Sequence, residues 1–177
     1  MKSVKVVILA ALVFVLVFVV ASASADPVQR FKPGDDTIAT IAVENGSFTT
    51  LVEALICTDL VGAVANEDAE LTVFAPTDAA FAGLGLNAGN ICDDAVIDKD
   101  MLTTVLLYHV VGERRPSPSV INGQNKSIWM LAGGAINPEG KGSLALFDNN
   151  DRQTNIVVPD VMASNGIIHV VNNVLLP

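Results

Sequence analysis

The spacing of apolar residues changes once along the chain, and this change limits the folds that the chain can adopt. Before residue 60, Ile38, Ile41 and Ala42 share one helical face, and a second apolar set at helical spacing follows Ser47, a good N-cap residue. Beyond His109, short β-prone runs are separated by Gly, Asn, Asp and Pro. These runs are 110–111, 127–131, 144–147, 156–158 and 167–171. Helices that precede strands predict an α+β domain.

The first 25 residues have the three parts of a secretory signal peptide. Two lysines precede an unbroken apolar run over residues 6–21, and Ala23 and Ala25 stand at the −3 and −1 positions of a cut before Asp26. A cut after Ala23 is the close alternative. An uncleaved membrane anchor is the other alternative, although this run is shorter than the roughly 18–20 residues that span a bilayer.

The signal peptide determines the predicted domain boundaries and the predicted cellular location. We expect a signal peptide over residues 1–25, an extended lead-in over residues 26–35 and one folded domain over residues 36–177. The lead-in contains two prolines and a glycine but no apolar periodicity. The folded protein is therefore predicted to be secreted and extracellular, or periplasmic or on the cell surface if its source is bacterial, with no membrane span after signal cleavage.

The only two cysteines in the sequence are Cys57 and Cys92. In an exported chain they are best explained as one disulfide, because oxidising compartments favour that bond. Free thiols are the alternative. A metal site is a weak explanation, since the chain has only two histidines to complete a ligand set.

Charge and residue inventory exclude several functions. The chain carries 10 basic and 19 acidic residues, a net charge of −9, which repels nucleic acid and anionic lipid. Neither histidine is accompanied by a serine elbow or by carboxylates at helical spacing, so no catalytic constellation is present. Acidic clusters such as residues 148–151 lack the spacing of a calcium loop and are interpreted as solvated turns. We therefore predict no enzyme activity, no cofactor and no metal.

Three segments together resemble the fasciclin domain family. Residues 72–81, TVFAPTDAAF, resemble its first signature stretch, and residues 106–111, LLYHVV, are similar to its tyrosine-histidine motif. Residues 165–177, which begin NGIIHVV and end VLLP, resemble its second signature stretch and its usual ending. The resemblance implies an α+β, fasciclin-like wedge in which a β-sandwich is flanked by several short helices.

The resemblance also implies a secreted cell-adhesion, matrix or biofilm module that contacts a cell-surface or matrix protein or glycan, with self-association as a further possibility. In animal matrix relatives, an aspartate and a branched aliphatic residue before the second signature are implicated in integrin binding, and Asp160 and Val161 occupy that place here. Tyr108 and His109 form the motif implicated likewise. Val161 replaces an isoleucine and Asn172 replaces a common aspartate, which weakens the case for a metal-assisted contact. Asp160 as a plain turn residue is the alternative.

Other motif residues have structural interpretations. Thr77 and Asp78 follow a short strand and can cap unpaired backbone N–H groups. His109 is expected to be partly buried and hydrogen-bonded to a carboxylate or backbone group. His169 is expected to be a hydrogen-bonded histidine within a strand.

A second functional hypothesis is an extracellular carrier of a carotenoid or another apolar ligand, because some fasciclin-like proteins that resemble this chain are small, acidic, single-domain carriers. Such a carrier needs an apolar groove. Trp129, Met130, Leu131 and Met162 could help to line it, although core packing explains the same residues.

Two positions fit the acceptor pattern for N-glycosylation. These are Asn45, followed by Gly and Ser, and Asn125, followed by Lys and Ser. The pattern is common by chance, and it has consequences only if the source is a eukaryote.

Overall fold

A computed structural model describes residues 36–122, 126–139 and 142–177. The predicted signal peptide, the lead-in and the Asn125 acceptor lie outside these residues and stay predictions. Six short helices form in the described chain. They are α1 (Ile38–Asn45), α2 (Thr49–Cys57), α3 (Val61–Ala65), α4 (Asp78–Ala82), α5 (Lys99–Leu107) and α6 (Ser117–Ile121). Within the described ranges, no helix is both long and apolar enough to cross a membrane.

Local signals explain where the longer helices begin and end. The Thr37 side chain accepts a hydrogen bond from the Thr40 N–H at the start of α1, and the helix ends at Gly46, whose φ of +70° favours glycine. Asp98 caps α5 by accepting from two backbone N–H groups. The first helix therefore agrees with the sequence-based expectation.

Seven strands form one mixed sheet. They are β1 (Leu71–Pro76), β2 (Val110–Val111), β3 (Ile128–Trp129), β4 (Ala135–Pro138), β5 (Ala145–Phe147), β6 (Gln153–Ala163) and β7 (Gly166–Val171). Their order is β2-β1-β7-β6-β5-β4-β3. β1 and β7 are parallel, and the other neighbouring pairs are antiparallel. The α+β class expected from the sequence is confirmed.

The sheet curls so that its two ends meet. The Leu131 N–H, just after β3, donates to the Val110 carbonyl of β2 over 2.8 Å. Inside the curl, one buried cluster combines side chains from both ends of the strand order, including Phe74 of β1, Ile136 of β4 and Leu146 of β5. Opposed strands therefore enclose a core, as they do in a sandwich.

A second core lies between the helices and the outer face of β1 and β7. Residues of α1, α2 and α5 pack there with Val73 and Ala75 of β1 and Ile168 of β7. Phe74, which lies between Val73 and Ala75, belongs to the other cluster, because successive side chains of a strand point to opposite faces. All six residues of β7 are buried, as expected of a strand covered on both faces.

A disulfide links the end of α2 to the loop before α5. Cys57 and Cys92 form the bond, with their Cα atoms 5.8 Å apart. The predicted pairing is confirmed, and the free-thiol alternative does not apply. The two cysteines are separated by 35 positions in the sequence, and for a loop of this length the chain-entropy model gives a stabilisation of about 4 kcal/mol.

Candidate functional site

The tyrosine-histidine pair lies inside the protein, directly after α5. Tyr108 is fully buried, and its hydroxyl donates to the Ala135 carbonyl over 2.8 Å, which ties α5 to β4. Burial raises the pKa of Tyr108. His109 is buried as well. Both side chains therefore support the fold from within, and in this conformation neither offers a surface to a partner.

The His109 ring joins two distant parts of the chain. Its Nδ1 lies 2.7 Å from the Val105 carbonyl, and its Nε2 accepts from the Leu175 N–H at 2.9 Å. Because a carbonyl can only accept, Nδ1 carries the proton and the ring is neutral. Burial lowers the His109 pKa to about 4, and the Val105 carbonyl opposes this only in part. The partner of this histidine is backbone rather than a carboxylate.

His169 performs a similar role in β7. Its Nε2 lies 2.8 Å from the Arg115 carbonyl, and its Nδ1 accepts from the Asp160 N–H at 3.2 Å. The ring also packs against Phe74, with the ring centroids 5.5 Å apart. Burial lowers the His169 pKa, while the Arg115 carbonyl and the Asp160 charge oppose the change. His169 therefore couples the buried sheet to the strand that carries Asp160.

Asp160 has its carboxylate engaged within the protein. One oxygen accepts from the Ser117 N–H at 2.7 Å, and the other accepts from the Ser117 hydroxyl, so the residue caps the start of α6. Burial raises the Asp160 pKa, but the two Ser117 contacts and His169 outweigh it and lower the pKa overall. Its backbone is left-handed, with a φ of +56°, which aspartate tolerates better than most residues. Val161, the next residue, packs against the helical core.

Thr77 and Asp78 cap two different helices. The Thr77 hydroxyl caps α4 by accepting from the Ala80 N–H. The Asp78 carboxylate instead accepts from the Thr50 N–H at 2.7 Å and from the N–H and hydroxyl of Thr49, at the start of α2. Burial raises the Asp78 pKa, but these bonds outweigh it and lower the pKa. The prediction that Ser47 caps α2 is wrong, because no side chain at the start of that helix caps it locally.

The second half of β6 is an exposed edge. Beyond Ile156, whose N–H still donates to the Leu144 carbonyl before β5, β6 pairs with β7 alone, and the register shifts twice between residues 156 and 161. Residues 157–162, which we call the β6 edge, carry three large apolar side chains in solvent: Val157, Val158 and Met162 are 52%, 48% and 46% exposed. The sequence placed Asp160 and Val161 here but did not indicate that the apolar side chains around them are exposed.

The residues proposed to line a carrier groove differ in burial, and neither apolar cavity of the structure is lined by more than one of them. Met130 is buried in the core of the curled sheet, whereas Trp129 and Leu131, on either side of it, are 72% and 53% exposed. An apolar cavity between the helices and the sheet has a volume of about 30 Å³, and a second one beside Leu131 has about 80 Å³. Sites for drug-sized ligands measure about 300–1,000 Å³. In this conformation neither cavity holds a carotenoid.

Arg152 and the buried Asp148 form an ion pair that the sequence pattern did not predict. Asp148 was interpreted as part of a solvated turn, yet it is only 2% exposed and accepts from the backbone N–H groups of Asn150, Arg152 and Leu176. The Arg152 Nε donates to the same carboxylate at 3.0 Å. A side chain that bonds N–H groups two and four residues ahead is a common turn pattern, and that spacing was the available signal.

One group of potential metal ligands occurs in the described residues. Glu53, Cys57 and Cys92 place one ligand atom each within 4.8 Å of one another. The two sulfur atoms are bonded to each other, and thiolate is the form of cysteine that binds metals. This group does not fit a metal while the disulfide is intact. Asn45, the other predicted glycosylation acceptor, is exposed at the end of α1.

The curled sheet, the flanking helices and the two motif histidines define a class of domain. The family model for the fasciclin domain matches residues 46–177. The chain belongs to the fasciclin domain family.

Two proteins and one solved structure show how similar this chain is to other members of the family. Protein sll1483 of Synechocystis sp. is 38% identical over 143 residues, which cover 80% of this chain and 73% of the relative. Cell surface glycolipoprotein MPB83 of Mycobacterium bovis is 31% identical over 145 residues, which cover 80% of this chain and 61% of the relative. A FAS1 domain pair from the insect cell adhesion molecule fasciclin I has a similar fold, with a TM-score of 0.69 at 16% identity, over 81% of this chain and 52% of that one.

Proposed function

We propose that this protein is a secreted adhesion or matrix module that acts by surface contact with a cell-surface or matrix protein or glycan, or with a second copy of itself, and that it performs no catalysis. Family membership supports the proposal, as do the names of two relatives, a cell surface glycolipoprotein and a cell adhesion molecule. The predicted signal peptide would place it outside the cytoplasm.

The observation that carries the proposal is the β6 edge. Its three apolar side chains are about half exposed, and apolar side chains grouped at a surface often mark an interaction site. The backbone there is paired with β7 on one side only. Pro159 and the left-handed Asp160 interrupt the edge, which limits indiscriminate strand pairing.

In this proposal, the four binding residues predicted from the sequence support the contact surface and do not themselves contact the partner. Asp160 fixes the shape of the β6 edge through Ser117 and His169, and Val161 anchors it to the core. Tyr108 and His109 hold the interior that supports the sheet. The direct contacts are assigned to Val157, Val158 and Met162, because these are the large apolar side chains of the β6 edge that are exposed.

The proposal is tested with the mature protein immobilised on beads and exposed to cells, matrix glycans and soluble copies of itself. Val158→Glu and Met162→Glu place a charge on the β6 edge, and we expect each to reduce bead binding at least about tenfold. Val43→Glu and Met101→Glu are matched controls, because these side chains are 64% and 60% exposed on helices. Wild-type beads that bind nothing would refute the adhesion function. Equal losses in test and control variants would refute the assignment to this edge.

The carrier hypothesis receives less support, because the two apolar cavities are small. It makes a separate prediction, which is visible absorbance that co-elutes with the monomer when the native protein is purified by size exclusion. A colourless protein that self-associates or elutes with a partner supports the adhesion module instead.

A further inference from the structure

A pocket of about 240 Å³ with mixed polar and apolar walls lies where three segments of the chain meet. It is lined by Ala80, Gly83 and Leu84 at the end of α4, by Arg152, Gln153 and Thr154 at the start of β6, and by Asn173 and Val174 after β7. Its lining includes no residue of the β6 edge and none of Tyr108, His109 and His169.

The polar side chains of this pocket are held in place by the fold. Arg152 donates to the Asp148 carboxylate and, through Nη2, to the Val174 carbonyl at 2.8 Å. The Asn173 amide donates to the Gln153 carbonyl at 3.0 Å, and the Gln153 side-chain amide donates to Asn155 at 3.1 Å. A site whose groups are already ordered loses less entropy when a ligand binds.

These contacts leave hydrogen-bonding capacity at the pocket. A carboxamide has two N–H donors and an acceptor oxygen, and Gln153 and Asn173 each use one N–H in the bonds given above. Both residues are exposed at the rim of the pocket. Two ordered amides with free donors and acceptors suit a ligand that carries adjacent hydroxyl groups, because each hydroxyl both donates and accepts.

The charge and the volume of the pocket further limit the class of ligand that it can bind. The only cation in the pocket is Arg152, and the fully buried Asp148 side chain neutralises it, while the chain as a whole carries −9. An anionic ligand is therefore disfavoured. The volume is below the roughly 300–1,000 Å³ of sites for drug-sized ligands, and Leu84, at 45% exposed, adds an apolar wall.

We propose that this pocket binds one ring of a neutral saccharide, with Gln153 and Asn173 bonded to ring hydroxyls and the C–H face of the ring against Leu84. This inference rests on the proposed function and assigns one of its classes of partner, a neutral glycan, to this pocket. It rests on a surface that the adhesion assay at the β6 edge does not alter.

The test is a titration of the isotope-labelled mature protein with D-glucose, D-galactose, D-mannose and N-acetyl-D-glucosamine. Binding is detected by the chemical shifts of the backbone amides and by saturation-transfer NMR. Each sugar is taken to about 50 mM, because a single ring with a few hydrogen bonds binds with a Kd of about 1 mM. We expect at least one sugar to shift the amides of Leu84, Gln153 and Asn173. Asn173→Ala and Gln153→Ala should each weaken that binding about tenfold.

Asn45→Ala is the matched control, since Asn45 is an exposed asparagine outside the pocket, and it should bind the sugar as the wild type does. Unchanged amide spectra away from the pocket will show that each variant is folded. The proposal is overturned if no sugar shifts these amides, if both pocket variants bind like the control, or if trialanine peptide shifts them and the sugars do not. Adhesion that depends on Met162 would survive any of these results, so the two proposals fail separately.

Discussion

The two sides of β7 differ sharply. Toward β1 the pairing is parallel and runs without interruption through six residue pairs, from Leu71↔Gly166 to Pro76↔Val171. Toward β6 it is antiparallel and shifts register twice within a few residues. One buried strand thus supports a regular ladder on one side and an irregular, exposed edge on the other. Stability and surface contact are therefore assigned to opposite sides of the same strand.

His169 connects these two sides. Its ring lies against Phe74 of β1, and its Nδ1 accepts from the backbone of Asp160 on the β6 edge. Asp160 is left-handed and has no partner residue in the β6–β7 register, and its N–H donates to the histidine ring instead. The irregular edge can exist because the buried side supplies its missing hydrogen-bond partner.

The largest effect should come from Gly166→Ala on the regular side. A Cβ at this position would lie 2.3 Å from the Leu71 carbonyl oxygen and 2.7 Å from Ile38 Cδ1, and the carbonyl belongs to the backbone of the paired strand. The two strands would have to separate locally. We expect the free energy of unfolding to fall by about 4 kcal/mol or more, measured by urea denaturation.

Gly62→Ala is the control for that measurement. Gly62 lies in α3, where an added Cβ meets no atom within 4 Å, and alanine is the better helix former. This substitution should stabilise the protein by about 0.5–1 kcal/mol. A Gly166→Ala protein as stable as the wild type would show that the β1–β7 contact is looser than the structure indicates.

The second-largest effect should come from acid, which lowers the free energy of unfolding through the buried His109. The His109 pKa is about 4 in the folded protein and about 6.5 in the unfolded chain, so between these values the unfolded chain binds the extra proton. Stability is unaffected above pH 6.5 and falls as the pH drops toward 4, by about 3 kcal/mol for this residue. The lowered pKa of His169 acts in the same direction.

Two measurements check this pH dependence. Urea denaturation at several pH values gives the stability, and the NMR titration of the His109 ring gives its pKa directly in the folded protein. A His109 ring that titrates near pH 6.5 would contradict the buried, neutral ring described here. Below about pH 4, protonation of Asp78, Asp148 and Asp160, whose pKa values are lowered, should remove further stability.

Replacement of the two capping aspartates compares the two sides directly. The Asp78 carboxylate accepts three hydrogen bonds at the start of α2, whereas that of Asp160 accepts two at the start of the shorter α6. Asparagine keeps one oxygen and tolerates the left-handed backbone at position 160. We expect Asp78→Asn to cost about 2 kcal/mol and Asp160→Asn about 1 kcal/mol in urea denaturation. The reverse order would show that Asp160, on the β6 edge, contributes more to stability than Asp78, which follows β1.

The sequence predicted elements that depend on local signals. The helix over residues 38–45, the β runs after His109, the α+β class and the Cys57–Cys92 bond all follow from periodicity, turn residues and compartment. The partners of Asp78 lie 28 and 29 residues away, and the partner of Asp160 lies 43 residues away. No local pattern specifies such pairs, so their roles became visible only once the fold was known.

The candidate site shows the same limit. Val157 and Val158 occur in a β-prone run that an alternating pattern would bury on one face, but the register shifts after Ile156 expose both. The pocket at Gln153 and Asn173 needs three segments that only the folded chain brings together. The sequence therefore predicted the strand that carries the β6 edge. The register shifts of that strand, which the sequence did not predict, determine which side chains are exposed to solvent.

The smallest effect on stability should come from the exposed side itself. Met162 is 46% exposed and contributes little to either core, so Met162→Glu should change the free energy of unfolding by less than about 0.5 kcal/mol. The same variant is expected to lose bead binding, which separates its contact role from any structural one. If urea denaturation showed a loss comparable to that of Asp78→Asn, Met162 would belong to the packed structure. The distinction between a buried side that stabilises and an exposed side that binds would then no longer hold.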